Sequence, residues 1–152
     1  MNSMKITILS ITDSDKHFAS AIAEYLKRLG KQVDIQDLKP TKNGTQAQII
    51  AKDTENIISI LDNKFFQYYK ILLSKEWKNL DTLSFKNICF SQSQLVFVIG
   101  GPYGLDEPAL QKHINSKISF GAITMPHGLV KLVLLEQIYR AETIHIGKKY
   151  HY

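Results

Sequence analysis

The sequence has one cysteine, only two arginines and no long hydrophobic run. The single cysteine, Cys89, cannot form an internal disulfide, so we expect a reducing compartment and assign the chain to the cytoplasm. The apolar runs are far shorter than the roughly 20 residues of a membrane helix, so we expect no membrane partner. The run at residues 6–11 is also too short for the apolar region of a signal peptide.

The chain also lacks a large excess of charge of one sign. The chain has 152 residues and a net charge of +5, with 44% hydrophobic and 22% charged residues. This composition is typical of a globular protein, and the length predicts one domain spanning residues 1–152. The excess of lysine is spread along the chain rather than gathered in a basic tail. A net positive charge favours polyanionic partners, but it does not distinguish an RNA-binding protein from a lysine-rich enzyme.

Short β-branched runs alternate with helical periodicities along the first two thirds of the chain. The first helical segment lies between Asp13 and Gly30, which are suited to cap its two ends. The patterns predict strands at residues 4–11, 31–38, 68–74 and 94–99, and helices at residues 14–29, 46–61 and 79–90. This order indicates an α/β fold with a largely parallel sheet.

The last third of the chain has a different pattern. A glycine-rich loop at residues 100–105 precedes a short predicted helix at 108–115 and a predicted strand at 119–125. The final predicted helix, at 127–141, is apolar almost all round and leaves little polar surface besides Lys131, Glu136, Gln137 and Arg140. We expect this helix to pack against the sheet on one side and a second subunit on the other, which makes the protein a homodimer. Burial within one chain is the alternative.

The glycine-rich loop, GGPYGL at residues 100–105, leaves the most apolar predicted strand and precedes a helix. Open α/β sheets bind ligands at such positions. The dinucleotide fingerprint would need a glycine where Ile99 stands, and the chain has no P-loop, so a phosphate cradle is disfavoured. A main-chain pocket for an uncharged group such as an adenine edge remains open, as does a tight turn without a ligand.

Three further patterns carry polar chemistry. His127 follows Pro126 at the start of the final predicted helix, and a helix N-terminus lowers an imidazole pKa. Glu136 and Arg140 are four residues apart, so they can pair on one helical face, and Arg140 could hold a phosphate. Residues 147–152 are basic and aromatic, so their lysines could contact phosphates and their aromatic side chains could stack on an unstacked base. The sequence predicts neither a metal site nor a serine nucleophile elbow.

Taken in order, three strings of the sequence resemble one family. They are VFVIGGPYGL at 96–105, SFGAITMPHGLVKLVLLEQIYRA at 119–141 and the closing YH at 150–151, and residues 4–9 and 21–30 are similar too. The chain thereby resembles the RlmH family, the 23S rRNA pseudouridine N3-methyltransferases of the SPOUT superfamily. The resemblance implies a SPOUT-type parallel α/β sheet with helices on both faces and a C-terminal trefoil knot. It also implies a homodimer that binds S-adenosyl-L-methionine and 23S rRNA within the assembled ribosome, with no DNA partner.

The resemblance also implies site residues. By position, the cofactor contacts of the family fall on Leu73, Gly100, Phe120, Gly121, Ala122, Ile123, Thr124 and Met125. For methyl transfer to N3 of the base, we expect His151 and Tyr150 to lie over the substrate and Arg140 to orient it or stabilise its charge. His127 is expected to shape the turn before the final helix.

The chain departs from the family pattern at several positions. Trp77-Lys78 stands where relatives have Gly-Lys, Lys131 stands for an arginine, Lys149 for a proline and Met125 for a phenylalanine. These departures bear on RNA docking more than on the cofactor site. Two alternatives therefore stay beside the methyltransferase: a knotted RNA- or ribosome-binding protein without methyl transfer, and a small doubly wound nucleotide-binding module.

Overall fold

The structure is a computed structural model that describes residues 4–13, 15–121 and 123–150. Its strands are β1 (Lys5–Ile11), β2 (Val33–Leu38), β3 (Tyr69–Leu73), β4 (Gln94–Ile99) and β5 (Ser116–Ile118). They form one sheet in the order β2-β1-β4-β3-β5, and every pairing is parallel. The predicted parallel sheet is confirmed, and β4 has the predicted bounds.

Helices cover both faces of this sheet. They are α1 (Ala19–Leu29), α2 (Gln46–Asn63), α3 (Thr82–Ser91), α4 (Glu107–Leu110) and α5 (His127–His145). One core packs the sheet against α1, α3 and α5, and the other packs it against α2 and α4. Side chains of a strand alternate between faces, so Ile6 and Ile8 enter the first core while Leu9 and Ile11 enter the second. The trefoil knot stays a prediction.

Local side-chain chemistry sets the ends of these helices. Thr45 and Gln48 form a capping box at the start of α2, with hydrogen bonds of 3.2 and 2.8 Å between each side chain and the other residue's main-chain N–H. The Asp81 carboxylate caps α3 by accepting from the Ser84 N–H at 2.8 Å. α1 ends at Gly30, whose φ of 68° is costly for other residues. The predicted cap at Gly30 is therefore confirmed.

The predicted strand at 119–125 is wrong. β5 ends at Ile118, and Ser119 adds only an isolated bridge to Asn79. Gly121 has a φ of 115°, outside the range of a strand, so the chain turns there although its apolar residues continue. The segment consequently forms a loop, and this loop becomes a wall of the cavity described below.

Two predicted helix bounds are also wrong. The helix predicted at 14–29 is α1, which begins at Ala19 after a 3₁₀ turn at Lys16–Phe18, and Ser14 lies outside the described residues. The helix predicted at 108–115 is the short α4 followed by a 3₁₀ turn at Gln111–His113. Short 3₁₀ turns at helix ends satisfy main-chain groups without a full α-helical turn, and apolar periodicity does not reveal them.

Helix α5 buries one face and leaves another partly accessible. Leu134, Leu135 and Ile138 are fully buried against the sheet, whereas Leu129 and Val133 on the opposite face are only partly buried. Lys131 is only 1% exposed, so its prediction as polar surface is wrong. In the described part of the chain, no helix is long and apolar enough to cross a membrane.

Candidate active site

A cavity of about 400 Å³ opens at the carboxyl ends of β3 and β4. Three loops form its walls: the glycine-rich loop after β4, the loop after β5 and the residues that follow β3. This edge of a parallel sheet is where α/β proteins bind ligands, and the volume falls in the range of small-molecule sites. The cavity is therefore the candidate ligand site.

The predicted cofactor residues meet at this cavity. Its lining includes Leu73, Gly100, Phe120, Gly121, Ile123, Thr124 and Met125. The eighth predicted residue, Ala122, lies outside the described residues. Residues far apart in the sequence are thus brought to one place by the parallel connections, and their role toward a cofactor stays a prediction.

The glycine-rich loop folds tightly on itself. The Gly104 N–H donates to the Gly101 carbonyl at 2.9 Å, and Gly104 has a φ of 77°. A Cβ at Gly100 would lie 3.2 Å from Leu105 Cγ and 3.4 Å from the Gly104 main chain. The loop therefore offers main-chain groups to the cavity at a position where a side chain would crowd the turn.

Polar side chains that the sequence reasoning missed also line the cavity. The Ser74 hydroxyl lies 3.0 Å from both Glu107 carboxylate oxygens, and Lys117 donates to Glu107 Oε1 at 3.1 Å. Lys75 donates to the Thr124 hydroxyl at 3.1 Å across the entrance. Their positions in the sequence could have identified them, because Ser74 and Lys75 directly follow β3 and Glu107 follows the glycine-rich loop. The cavity combines apolar walls with one carboxylate and one ammonium group.

His127 links the glycine-rich loop to the start of α5. Burial is the main cause that lowers the pKa of His127, and the nearby Asp15 carboxylate and the Gly100 main chain oppose this shift. The shift has the direction that the sequence predicts, and burial is its first cause. At neutral pH the imidazole is therefore neutral, and it contacts the glycine-rich loop rather than acting as a charged group.

A buried ion cluster lies beside His127. The Lys131 ammonium donates to the Asp15 carboxylate and, at 2.8 Å, to Asp37. Ser10 donates to the same Asp37 oxygen at 2.6 Å, and Thr12 donates to Asp15 at 3.2 Å. These contacts join the first turns of α5 to the ends of β1 and β2. Lys131, which stands where the family pattern has an arginine, therefore has a structural role.

A second cluster, the C-terminal aromatic cluster of Tyr25, Tyr139, Tyr150 and Arg140, lies between α1 and the end of α5. Arg140 donates to Glu136 Oε1 at 2.9 Å through Nε, which confirms the predicted pair. Its guanidinium lies 4.9 Å from the centre of the Tyr150 ring, and the Tyr150 and Tyr25 hydroxyls share a hydrogen bond of 3.2 Å. This hydrogen bond is the first cause that raises the pKa of Tyr150 to about 12, so its phenol is neutral at pH 7.

The C-terminal aromatic cluster is distant from the cavity of its own chain. Arg140 is the thirteenth residue after His127 in α5, which corresponds to about 20 Å at the rise of an α-helix. The structure therefore brings Arg140 and Tyr150 together but does not bring them to the cavity beside His127. The third predicted catalytic residue, His151, lies outside the described residues.

Comparison with known proteins identifies a family. The family model described as "Predicted SPOUT methyltransferase" matches residues 4–151. The chain is 39% identical to the ribosomal RNA large subunit methyltransferase H of Lacticaseibacillus casei and 37% identical to that of Limosilactobacillus reuteri, with 97% of this chain and 99% of each relative covered. The corresponding protein of Bacillus thuringiensis is 35% identical over the same shares.

Solved structures give the same fold. A Bacillus anthracis protein proposed to be an RNA methyltransferase superposes with a TM-score of 0.59 at 10% identity, covering 97% of this chain and 99% of that one. The SpoU methyltransferase AviRb of Streptomyces viridochromogenes superposes with a TM-score of 0.54 at 10% identity, covering 99% of this chain and 63% of that one. Sequence and fold agree, and the chain belongs to the SPOUT methyltransferase family.

Proposed function

We propose that the protein transfers a methyl group from S-adenosyl-L-methionine to N3 of a pseudouridine in 23S rRNA. It acts in the cytoplasm on assembled ribosomes, as a homodimer in which residues 1–152 form one domain. The observation that carries this proposal is the cavity at the carboxyl ends of β3 and β4, because seven predicted cofactor residues meet there in a SPOUT methyltransferase. Relatives that match nearly the full chain are named as ribosomal RNA large subunit methyltransferases.

The cavity fits the proposed cofactor in size and chemistry. Its volume of about 400 Å³ suits a ligand larger than a single base, and Leu73 and Phe120 supply apolar walls for a ring. Main-chain groups of the loop at Gly100 can satisfy the edge of an adenine. Glu107 and Lys75 offer opposite charges for the amino-acid end of the cofactor.

S-Adenosyl-L-methionine supplies an electrophilic methyl group at this site. The loops at Gly100 and Phe120 hold the donor, and orientation of donor and acceptor in line supplies much of the rate. N3 of the base carries a proton that must leave to solvent water or to a general base, and the positive charge of Arg140 stabilises the anion that develops. Tyr150, with its raised pKa, stays protonated, so it orients the base with its ring rather than by accepting the proton. His151 lies over the same base in this proposal.

A second copy of the chain completes the site. Arg140 lies about 20 Å along α5 from His127, too far to act on a base at the cavity of its own chain. The homodimer resolves this separation, since a second copy can bring its C-terminal aromatic cluster to the cavity. The partly buried apolar residues Leu129 and Val133, which share one face of α5, together with the exposed Leu83 on α3, supply a surface for that contact.

Methyl transfer from labelled S-adenosyl-L-methionine tests the proposed function. We expect label in 23S rRNA when assembled ribosomes lacking the modification are the substrate, and little label with free 23S rRNA. Cofactor binding measured by calorimetry, with no binding of ATP or NAD, separates a methyltransferase from a nucleotide-binding module. Cofactor binding without label in ribosomes would leave a knotted RNA-binding protein and overturn the proposal.

A further inference from the structure

An open groove lies beside the cavity and shares part of its wall. Its volume is about 740 Å³. Its lining includes Glu76, Trp77, Tyr103, Asp106, Glu107 and Lys117. Lys75, Tyr103 and Glu107 also line the cavity, so an occupant of the groove would be a direct neighbour of an occupant of the cavity.

Two large aromatic side chains are exposed at this groove. Trp77 and Tyr103 are each 51% exposed, although burial of an aromatic ring is favourable. The ammonium of Lys117 lies 5.3 Å from the centre of the Trp77 ring and holds it in place by a cation–π contact. An exposed ring that is held in position at the wall of a groove is suited to stacking.

The charges of the groove favour a base over a phosphate. Glu76, Asp106 and Glu107 balance the two lysines, and Lys117 is already paired with Glu107 at 3.1 Å. Carboxylates repel a phosphate, whereas they accept hydrogen bonds from the amino or imino groups on the edge of a base. Aromatic faces with hydrogen-bond acceptors nearby are how proteins bind unstacked bases of RNA.

We propose that Trp77 and Tyr103 form a stacking site for an unstacked RNA base that neighbours the nucleotide to be methylated. The inference rests on the proposed function, because the groove adjoins the cavity assigned to the cofactor. It also gives a role to Trp77, which replaces the glycine of the family pattern. Stacking on aromatic side chains tolerates different bases, so the site adds affinity for a single strand rather than strict sequence selection.

Fluorescence tests the stacking site directly, since Trp77 is the only tryptophan in the chain. The wild-type protein, saturated with S-adenosylhomocysteine, is titrated with single-stranded hexauridylate and hexacytidylate. We expect saturable quenching of the Trp77 emission, weakened at least about fivefold in affinity by Tyr103→Ala. Absence of saturable quenching with both oligonucleotides would overturn the proposal. This readout does not depend on methyl transfer.

Kinetics with unmodified ribosomes provide the second test. Trp77→Ala should raise the KM for ribosomes at least about fivefold, and Trp77→Phe, which keeps a ring, should restore most of it. Phe66→Ala is the matched control, because Phe66 is an exposed ring before the opposite, amino end of β3. An unchanged KM in Trp77→Ala would overturn the stacking site while leaving the proposed function intact. Loss of methyl transfer in the wild type would instead overturn the proposed function.

Discussion

Replacement of Lys131 by methionine should destabilise the protein strongly. Lys131 is 1% exposed and its ammonium is bound by Asp15 and Asp37, so Lys131→Met leaves two carboxylates without their cation. Removal of one partner of a buried ion pair costs about 3–5 kcal/mol. The Asp37 side chain is 47% exposed and regains water, which places the expected loss near the lower end, at about 3 kcal/mol. This loss shifts the unfolding equilibrium by about two orders of magnitude.

Urea unfolding followed by circular dichroism measures this change. The double variant Lys131→Met with Asp15→Asn removes the more buried of the two uncompensated charges, and it should recover a measurable part of the loss because the two positions are coupled. Lys52→Met is a matched control, since Lys52 forms a surface pair with Glu55 that contributes little. A loss below about 1 kcal/mol in Lys131→Met, or equal losses in the single and double variants, would refute the role assigned to the cluster.

Three further changes test the site. Gly100→Ala should weaken the binding of S-adenosyl-L-methionine by about 1 kcal/mol or more, because the added Cβ would lie 3.2 Å from Leu105 Cγ and crowd the loop. Calorimetry measures this affinity, and an unchanged value would show that the loop tolerates the added methyl group. Tyr25→Phe should lower the pKa of Tyr150 from about 12 toward its ordinary value, because the hydrogen bond that raises this pKa is lost. An NMR titration of labelled tyrosine measures the change, and an unshifted pKa would argue against the Tyr25–Tyr150 hydrogen bond. Arg140→Ala should reduce single-turnover methylation of ribosomes by about 100-fold or more while cofactor affinity is kept, and an unchanged rate would remove Arg140 from the reaction.

The regular elements of the fold were predictable because their patterns are local. The apolar run of β4, flanked by polar residues, has the same bounds in sequence and structure. Glycine at position 30 ended α1 as expected, and the Glu136–Arg140 pair follows from the period of a helix. Each of these features depends on residues a few positions apart.

Features that depend on tertiary context were not predictable in this way. The segment at 119–125 has the apolar content of a strand, but the turn at Gly121 directs it around the cavity. Lysine is usually found at the protein surface, so the sequence alone predicts that Lys131 is exposed. Only the folded chain brings Asp15 and Asp37 to its ammonium group. The cofactor residues were assigned through the resemblance, because spacing alone does not show that Leu73 and Phe120 lie on one cavity.

In the proposed homodimer, helix α5 connects the cavity of one site to the cluster that completes the other site, without interruption. His127, beside the cavity, and Arg140, in the C-terminal aromatic cluster, belong to the same continuous helix. Inserting or deleting one residue between them would rotate the cluster by about 100° about the helix axis and shift it by about 1.5 Å. The surface loops can change length without this effect, whereas the distance and angle between cavity and cluster depend on the residue count of α5. Length variation should therefore be tolerated in surface loops that touch neither the cavity nor the cluster, and not within α5.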